Sequence, residues 1–398
     1  MNTQYKTNLA VVVCSVSLLL AIGLIAIGDF TLQNSFISRI HGDAWLYLKR
    51  QLIAIPLALI GALLAARFSS YFIRFNMYLA AIGIGTALII VFMHHDHSEW
   101  RSVRFFSFPV VGYVRLGFWV LLSAFPLLAT LLTRLGSKDS KRFNWKDEGV
   151  FAALICGLSF MLPFLYDLPM LYLFWFTTVT VAAMSKGNRC RKLTASIAGL
   201  LPLTIVLINN LMTGYWWQSF IDRYNYKDDP MFSGYQTWVA VTDIAAGGWF
   251  GKGIGLYNFP ANSDRSNCPY LIGHTLGEFI LQITGKEFGI MGIGLVFLIF
   301  CLMAASAYRL IGQVKGDANK NLALYLLVFL VLAAVIGMVR TCNLLPFVPS
   351  MAVPFVAYGP KLIIGYMISL GAIAGLGSNS GWQSSHPSPD FPGQQTND

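Results

Sequence analysis

Apolar residues fall along the chain in blocks of roughly 16 to 22, separated by shorter polar connections. A block of that length crosses a hydrocarbon core as an α-helix. Continuous runs such as Leu9 to Ile27 and Leu322 to Val339 lack the alternating polarity of a transmembrane barrel strand. The pattern predicts an all-α fold, a polytopic membrane helix bundle of about ten spans: 9–27, 52–67, 76–93, 116–135, 149–165, 168–184, 193–213, 279–307, 322–339 and 361–377. The first block is too long for the apolar core of a secretory signal, and Ile27-Gly28-Asp29-Phe30 offers no small-residue cleavage site, so it reads as a retained helix. Residues 1–377 then form a single membrane domain. The remainder, 378–398, is polar, carries prolines and has few hydrophobes, which predicts a disordered cytoplasmic tail.

Composition excludes the soluble alternatives. Charged residues make up 12% of the chain and hydrophobic ones 56%, whereas soluble domains carry ~25% charge. The 28 Lys+Arg and 18 Asp+Glu leave a formal charge of +10. In so apolar a chain that excess belongs to loops kept in the cytoplasm and not to a nucleic-acid partner. Its distribution agrees: Arg134, Lys138, Lys141 and Arg142 share one short connection, and Lys186, Arg189, Arg191 and Lys192 share another. With those connections inside, both termini are cytoplasmic. The longest connection, about 215–277 between the seventh and eighth helices, then becomes a large extracytoplasmic loop. Its aromatics Tyr215, Trp216, Trp217, Tyr224 and Tyr226 predict an ordered, functional segment.

Polar groups near membrane depth are costly and mark candidate sites. The stretch opened by Gly234-Tyr235-Gln236 and continued by Ile244-Ala245-Ala246-Gly247-Gly248-Trp249-Phe250-Gly251-Lys252-Gly253-Ile254-Gly255 joins glycines to one cation. Glycines tolerate positive φ and let amides face an anion, while Lys252 supplies charge; the same glycines equally suit close helix packing. In His274-Thr275-Leu276-Gly277-Glu278-Phe279 a carboxylate enters an apolar run. Glu278 is placed either as a general base at an outer helix entrance or as an acid opposing the helix dipole. His94-His95-Asp96-His97 with Glu99 has metal-ligating side chains, but sequence neighbours point apart, so it reads as a solvated loop, and Arg104 beyond it is the better phosphate contact. Prolines in Asn343-Leu344-Leu345-Pro346 and Val353-Pro354-Phe355-Val356-Ala357-Tyr358-Gly359-Pro360 break the helix, and irregular backbone at depth lines a cavity. Asp167, between the fifth and sixth spans, reads as a helix cap or a site residue.

Taken in order, these segments resemble the SEDS family of shape, elongation, division and sporulation proteins, which includes RodA and FtsW. GYQTWVAVTDIAAGGWFGKGIG over 234–255 is similar, without a gap, to the family's GYQ and GSGG-x-x-GKGLG. EFILQITGKEFG over 278–289 is similar to DFIF-x-x-x-GEELG, and NLLP with VPFVAYG over 343–359 is similar to the closing GLLP and LPF-x-SYGG. Lys49-Arg50-Gln51 resembles the KRQ of the second helix.

The resemblance implies a peptidoglycan glycosyltransferase that polymerises lipid II at the outer leaflet of a bacterial cytoplasmic membrane. It also implies a class B penicillin-binding protein as partner, within the elongation or division machinery. The family's key acid, the Asp of HTDF, falls at Glu278, with Leu276 and Gly277 separating it from His274-Thr275. The family's QPD falls at Leu165-Tyr166-Asp167. On this reading Glu278 is the catalytic base, and Arg104, Lys252, Lys49, Arg50, Gln236, Asp167, His274 and Tyr358 bind the lipid-linked diphosphate, with or without a divalent cation. Two rival readings are a catalytically degenerate scaffold that activates the penicillin-binding protein, and a flippase for lipid-linked precursors.

Overall fold

The structure, a computed structural model, describes residues 3–33, 43–93, 105–108, 112–136, 145–164, 168–198, 221, 224–227, 235–255, 275–345 and 351–378. Helices α1 Thr3–Gln33, α2 Leu46–Arg74 and α3 Asn76–Met93 precede a hairpin of β1 Phe105–Phe108 and β2 Gly112–Arg115. Then come α4 Leu116–Gly136, α5 Trp145–Phe164, α6 Leu168–Met184 and α7 Arg189–Ala198. The last are α8 Tyr235–Gly247, α9 Ile280–Ile311, α10 Asp317–Thr341 and α11 Pro360–Ser378. Among the described residues six helices are long and apolar enough to cross a membrane: Thr3–Leu32, Leu46–Arg74, Leu116–Leu135, Ile280–Ile311, Asp317–Thr341 and Pro360–Ser378. Asn76–Ile89, Glu148–Ser159 and Pro169–Met184 are shorter apolar helices. The chain is a multi-pass helical membrane protein.

The structure departs from the hydropathy pattern in places. The antiparallel hairpin sets Phe105 opposite Arg115 and Phe108 opposite Gly112; strands this short leave no membrane-length block to detect. Tyr235–Gly247, expected within the outer loop, is a helix because Tyr235, Val239, Ala240, Asp243 and Gly247 recur at helical spacing and are buried, with α8 packing against α9. The expected span 279–307 is interrupted, since Gly289 takes φ 69° and ψ −168° inside α9. Of the expected span 193–213, residues 193–198 belong to α7 and the rest lie outside the described residues, as do much of 215–277 and all of 379–398.

Helix α10 forms the centre and is buried on most sides. Its Tyr325 stacks on Phe125 of α4 at 5.3 Å between ring centroids, and its Phe329 meets Phe125 at 5.2 Å. Phe118 of α4 meets Tyr366 of α11 edge-on at 5.2 Å. Helices α2 and α11 join through small residues. A Cβ added at Gly371 or Gly375 would lie 2.1 Å from the carbonyl oxygen of Ala62 or Ala66, so only glycine permits this backbone approach. Close packing is what holds helices together where lipid tails remove the hydrophobic drive between them. The outer face of α2, with Leu57, Ile60, Leu63 and Leu64 exposed, suits lipid contact.

Candidate active site

Gly289 divides α9 into a first segment, 280–288, and a longer one, 290–311. In an unbroken helix the amides of Ile290 and Met291 would bond the carbonyls of Lys286 and Glu287. Here all four groups turn instead to the glycine loop that follows α8. Ile290 N–H donates to Gly248 O at 2.9 Å and Met291 N–H to Trp249 O at 3.1 Å. Lys252 N–H donates to Lys286 O at 2.9 Å and Gly253 N–H to Glu287 O at 3.0 Å. The loop is therefore inserted into the hydrogen-bond ladder of the helix, and each group freed by the break regains a partner.

Glycine makes the insertion sterically feasible. A Cβ on Gly251 would lie 2.0 Å from Glu287 O, one on Gly247 2.0 Å from Gly285 O, and one on Gly289 2.4 Å from Trp249 O. Gly251, Gly253 and Gly255 also hold φ of 83°, 94° and 88°, a region that costs other residues about 1–2 kcal/mol. Lys252 is thus fixed through its backbone while its side chain stays exposed. Beyond it, Gly255 N–H donates to Asp29 Oδ1 of α1 at 2.8 Å.

Glu278 stands at the other end of the first segment, just ahead of α9, and is 9% exposed. Its carbonyl accepts a bond from Thr341 Oγ1 of α10 at 3.2 Å. Two residues earlier, Leu276 O accepts Tyr358 N–H at 2.9 Å. These bonds seat the acid-bearing turn between α10 and the connection 351–359. From α2, Gln51 Nε2 donates to Ala357 O at 3.2 Å and Gln51 Oε1 accepts Gly359 N–H at 3.3 Å. The Tyr358 ring meets Tyr47 edge-on at 5.1 Å, and the Arg50 guanidinium lies beside its phenol. Burial pushes the Tyr358 phenol up to about 12, with the charge and hydrogen bond of Arg50 pulling the other way. At neutral pH it is therefore an uncharged group.

Two buried polar contacts brace this region. Arg340 of α10 is 3% exposed; it donates to Thr237 Oγ1 at 3.0 Å and Asn343 Oδ1 at 3.3 Å, and its guanidinium lies 5.3 Å from the centre of the Phe279 ring. Lys286 Nζ lies 2.9 Å from Asp243 Oδ1, and Gln282 Nε2 donates to Asp243 Oδ2 at 3.2 Å. A cavity of about 600 Å³ opens at the opposite end of α10, among Thr133, Ser185, Lys186, Tyr308, Asp317 and Asn321. It is a full helix length from Glu278.

The profile described as "Cell cycle protein", covering FtsW, RodA and SpoVE, matches residues 9–380. The chain belongs to the FtsW/RodA/SpoVE family. It is similar to the "Probable peptidoglycan glycosyltransferase FtsW" of Geobacter metallireducens (strain ATCC 53774 / DSM 7210 / GS-15), with 23% identity over 388 residues, 94% of this chain and 97% of the relative. Its fold is similar to a chain of the complex described as "Structural coordination of polymerization and crosslinking by a peptidoglycan synthase complex". The TM-score there is 0.66 at 16% identity, with 93% of this chain and 97% of that one covered. Thermus thermophilus Rod shape determining protein RodA gives a TM-score of 0.60 at 15% identity, covering 92% and 96%.

For this FtsW/RodA/SpoVE member, the residues singled out from sequence fall into separate groups. Glu278, Tyr358 and Arg50 share one neighbourhood through the Leu276–Tyr358 bond. Lys252 sits past the far end of segment 280–288, roughly 12 Å along the helix by its rise per residue. Gln236 is half-buried in the first turn of α8. Lys49 pairs with Asp43 at 2.7 Å on exposed surface. Arg104, Asp167 and His274 lie outside the described residues, as does His94-His95-Asp96-His97. Among the described residues no three His, Cys, Asp or Glu side chains converge, so ligands for a divalent cation are not assigned there.

Sequence reasoning passed over Asp29, Asp243 and Arg340. Each is a charge set in apolar surroundings, and such charges need a partner inside a bundle. Where the family run reads EELG, this chain has Lys286-Glu287-Phe288-Gly289. A cation at 286 demands a nearby acid, and Asp243 in the matched glycine segment was the available signal.

Proposed function

We propose that this chain polymerises lipid II into glycan strands at the outer leaflet of the cytoplasmic membrane. Glu278 takes the proton from the acceptor sugar hydroxyl as that oxygen attacks the anomeric carbon of the donor. Undecaprenyl pyrophosphate departs from the opposite face, which inverts the configuration. Lys252 and Arg104 neutralise the diphosphate, and Arg50 and Tyr358 flank the acid. The observation that carries this reading is the seat of Glu278: a carboxylate-bearing turn tied to Tyr358 and Thr341 at one end of the bundle. The cation-bearing connections of Lys186 and Lys315 lie at the other end, beside the start of α10. Reading those cations as cytoplasmic supports an outer position for the Glu278 end and inner positions for both termini.

In this reading residues 1–377 act as one membrane domain with a polar tail at 378–398, and a class B penicillin-binding protein of the elongation or division machinery receives the strand. The names of the relatives and of the peptidoglycan synthase complex support the assignment. Polymerisation of lipid II by purified protein tests it. Wild type should form strands, and Glu278→Gln, which keeps size but removes the basic site, should be slower by roughly 100-fold with folding intact. Wild type that forms no strands alone but stimulates a penicillin-binding protein supports a scaffold. Translocation of lipid II that Glu278→Gln leaves untouched supports a flippase.

A further inference from the structure

Glu287 is 2% exposed, and among the described residues neither of its carboxyl oxygens meets a hydrogen-bond donor. Its carboxyl faces the carboxyl of Asp29 on α1. Asp29 is 7% exposed and accepts the Gly255 amide at 2.8 Å. Two carboxylates in contact and away from water cannot both remain charged. The proton settles on the group whose charge nothing compensates. Asp29 has an amide aimed at its oxygen; Glu287 has none.

We propose that Asp29 and Glu287 form a one-proton carboxyl pair, with Glu287 donating to Asp29, which positions the Lys252 loop against α1 and α9. Among the described residues neither neighbouring cation bonds Glu287. Lys286, next to Glu287 on α9, is held by Asp243 of α8, and Lys252 on the loop extends an exposed side chain. The loop then has two kinds of anchor on either side of the break in α9: backbone bonds at Lys252 and Gly253, and the acid pair at Gly255. Ionising Glu287 would place a second negative charge beside Asp29 and push the elements apart. Both acids are positioning residues: they act on substrate through the loop.

The effect on polymerisation rests on reading Lys252 as a diphosphate contact, whereas the shared proton does not. Infrared difference spectroscopy of the full chain, neutral against alkaline pH, reads the proton directly. Wild type should show the C=O stretch of a protonated carboxylic acid that is lost at alkaline pH and is missing from Glu287→Gln. No such band in wild type, or its persistence in Glu287→Gln, overturns the pair. Positioning is read from polymerisation kinetics. Wild-type polymerisation should decline at alkaline pH as Glu287 loses its proton; Glu287→Gln keeps a neutral donor, so its rate at neutral pH should stay within about twofold of wild type and that decline should disappear. Asp29→Ala should raise KM by roughly tenfold with a smaller change in kcat. A decline retained by Glu287→Gln, or kcat lost with KM unchanged in Asp29→Ala, overturns the positioning role. Should wild type prove inactive, the infrared band still decides the pair.

Discussion

Lys286 and Asp243 face one another at 2.9 Å with each side chain only 10% exposed. Each charge is tolerated because the other is present, and Gln282 occupies the second carboxylate oxygen. Removing one partner leaves the other buried and uncompensated. Asp243→Leu or Lys286→Met alone should therefore cost about 3–5 kcal/mol, and the two combined should recover most of it. Thermal unfolding in detergent distinguishes the cases. Additive losses in the double variant would contradict a coupled pair.

The glycines of the inserted loop should differ in tolerance. Gly251 and Gly253 both hold positive φ, but a Cβ at Gly251 strikes Glu287 O whereas one at Gly253 meets nothing within 4 Å. Gly253→Ala should cost about 1–2 kcal/mol from φ alone, and Gly251→Ala distinctly more, with displacement of Lys252. Unfolding midpoints of the two variants give the comparison. Equal losses would mean the contact with α9 relaxes freely.

Tyr358 makes a pH prediction with a definite sign. Its phenol is raised from the ordinary 10.0 to about 12 in the folded protein, chiefly by burial. The unfolded chain ionises first, so the contribution is fully present below about pH 10 and is lost as pH rises through about 12. Difference titration of phenolate absorbance between wild type and Tyr358→Phe should place this ionisation near the upper value. A transition near 10 would show that the ring is solvated. Below pH 10 the phenol stays neutral, so Tyr358→Phe should leave the pH profile of polymerisation unchanged there.

Sidedness can be read by cysteine labelling. Lys186, Lys315 and Lys252 are all exposed. Lys186→Cys and Lys315→Cys should react only from the cytoplasmic side, and Lys252→Cys only from outside, following the distribution of cations. Lys192 is unsuitable for this test: it is 0% exposed, and its ammonium donates to Ser185 Oγ at 2.8 Å and to the carbonyl of Lys186. Reaction of all three cysteines from one side would refute the arrangement.

The helical bundle was legible in the sequence because a bilayer admits only long apolar helices or closed barrels, and runs such as Leu322 to Val339 satisfy the first plainly. The glycine segment was legible as a feature and ambiguous as to purpose. Gly247, Gly251 and Gly289 now show close backbone approach. The break at Gly289 was hidden, because 279–307 reads as one apolar block and the groups that replace its lost hydrogen bonds come from residues 248–253. Hydropathy carries no record of such a distant partner. Asp243 and Asp29 escaped notice for the same reason, since each acquires its role only from a residue on another helix.

The divided helix also has a mechanical consequence. Residues 280–287 are buried against protein, whereas Ile290, Met291, Leu295, Phe297 and Leu298 lie exposed in the portion that suits lipid. A membrane that thickens or thins acts on the second portion, which answers such mismatch by tilting. The inserted loop bonds both sides of Gly289, the carbonyls of Lys286 and Glu287 before it and the amides of Ile290 and Met291 after it. Tilt of the second portion is thus resisted first by the loop that carries Lys252, and the turn carrying Glu278 is held by its own bonds to α10 and to the connection 351–359 instead of by the lipid around it.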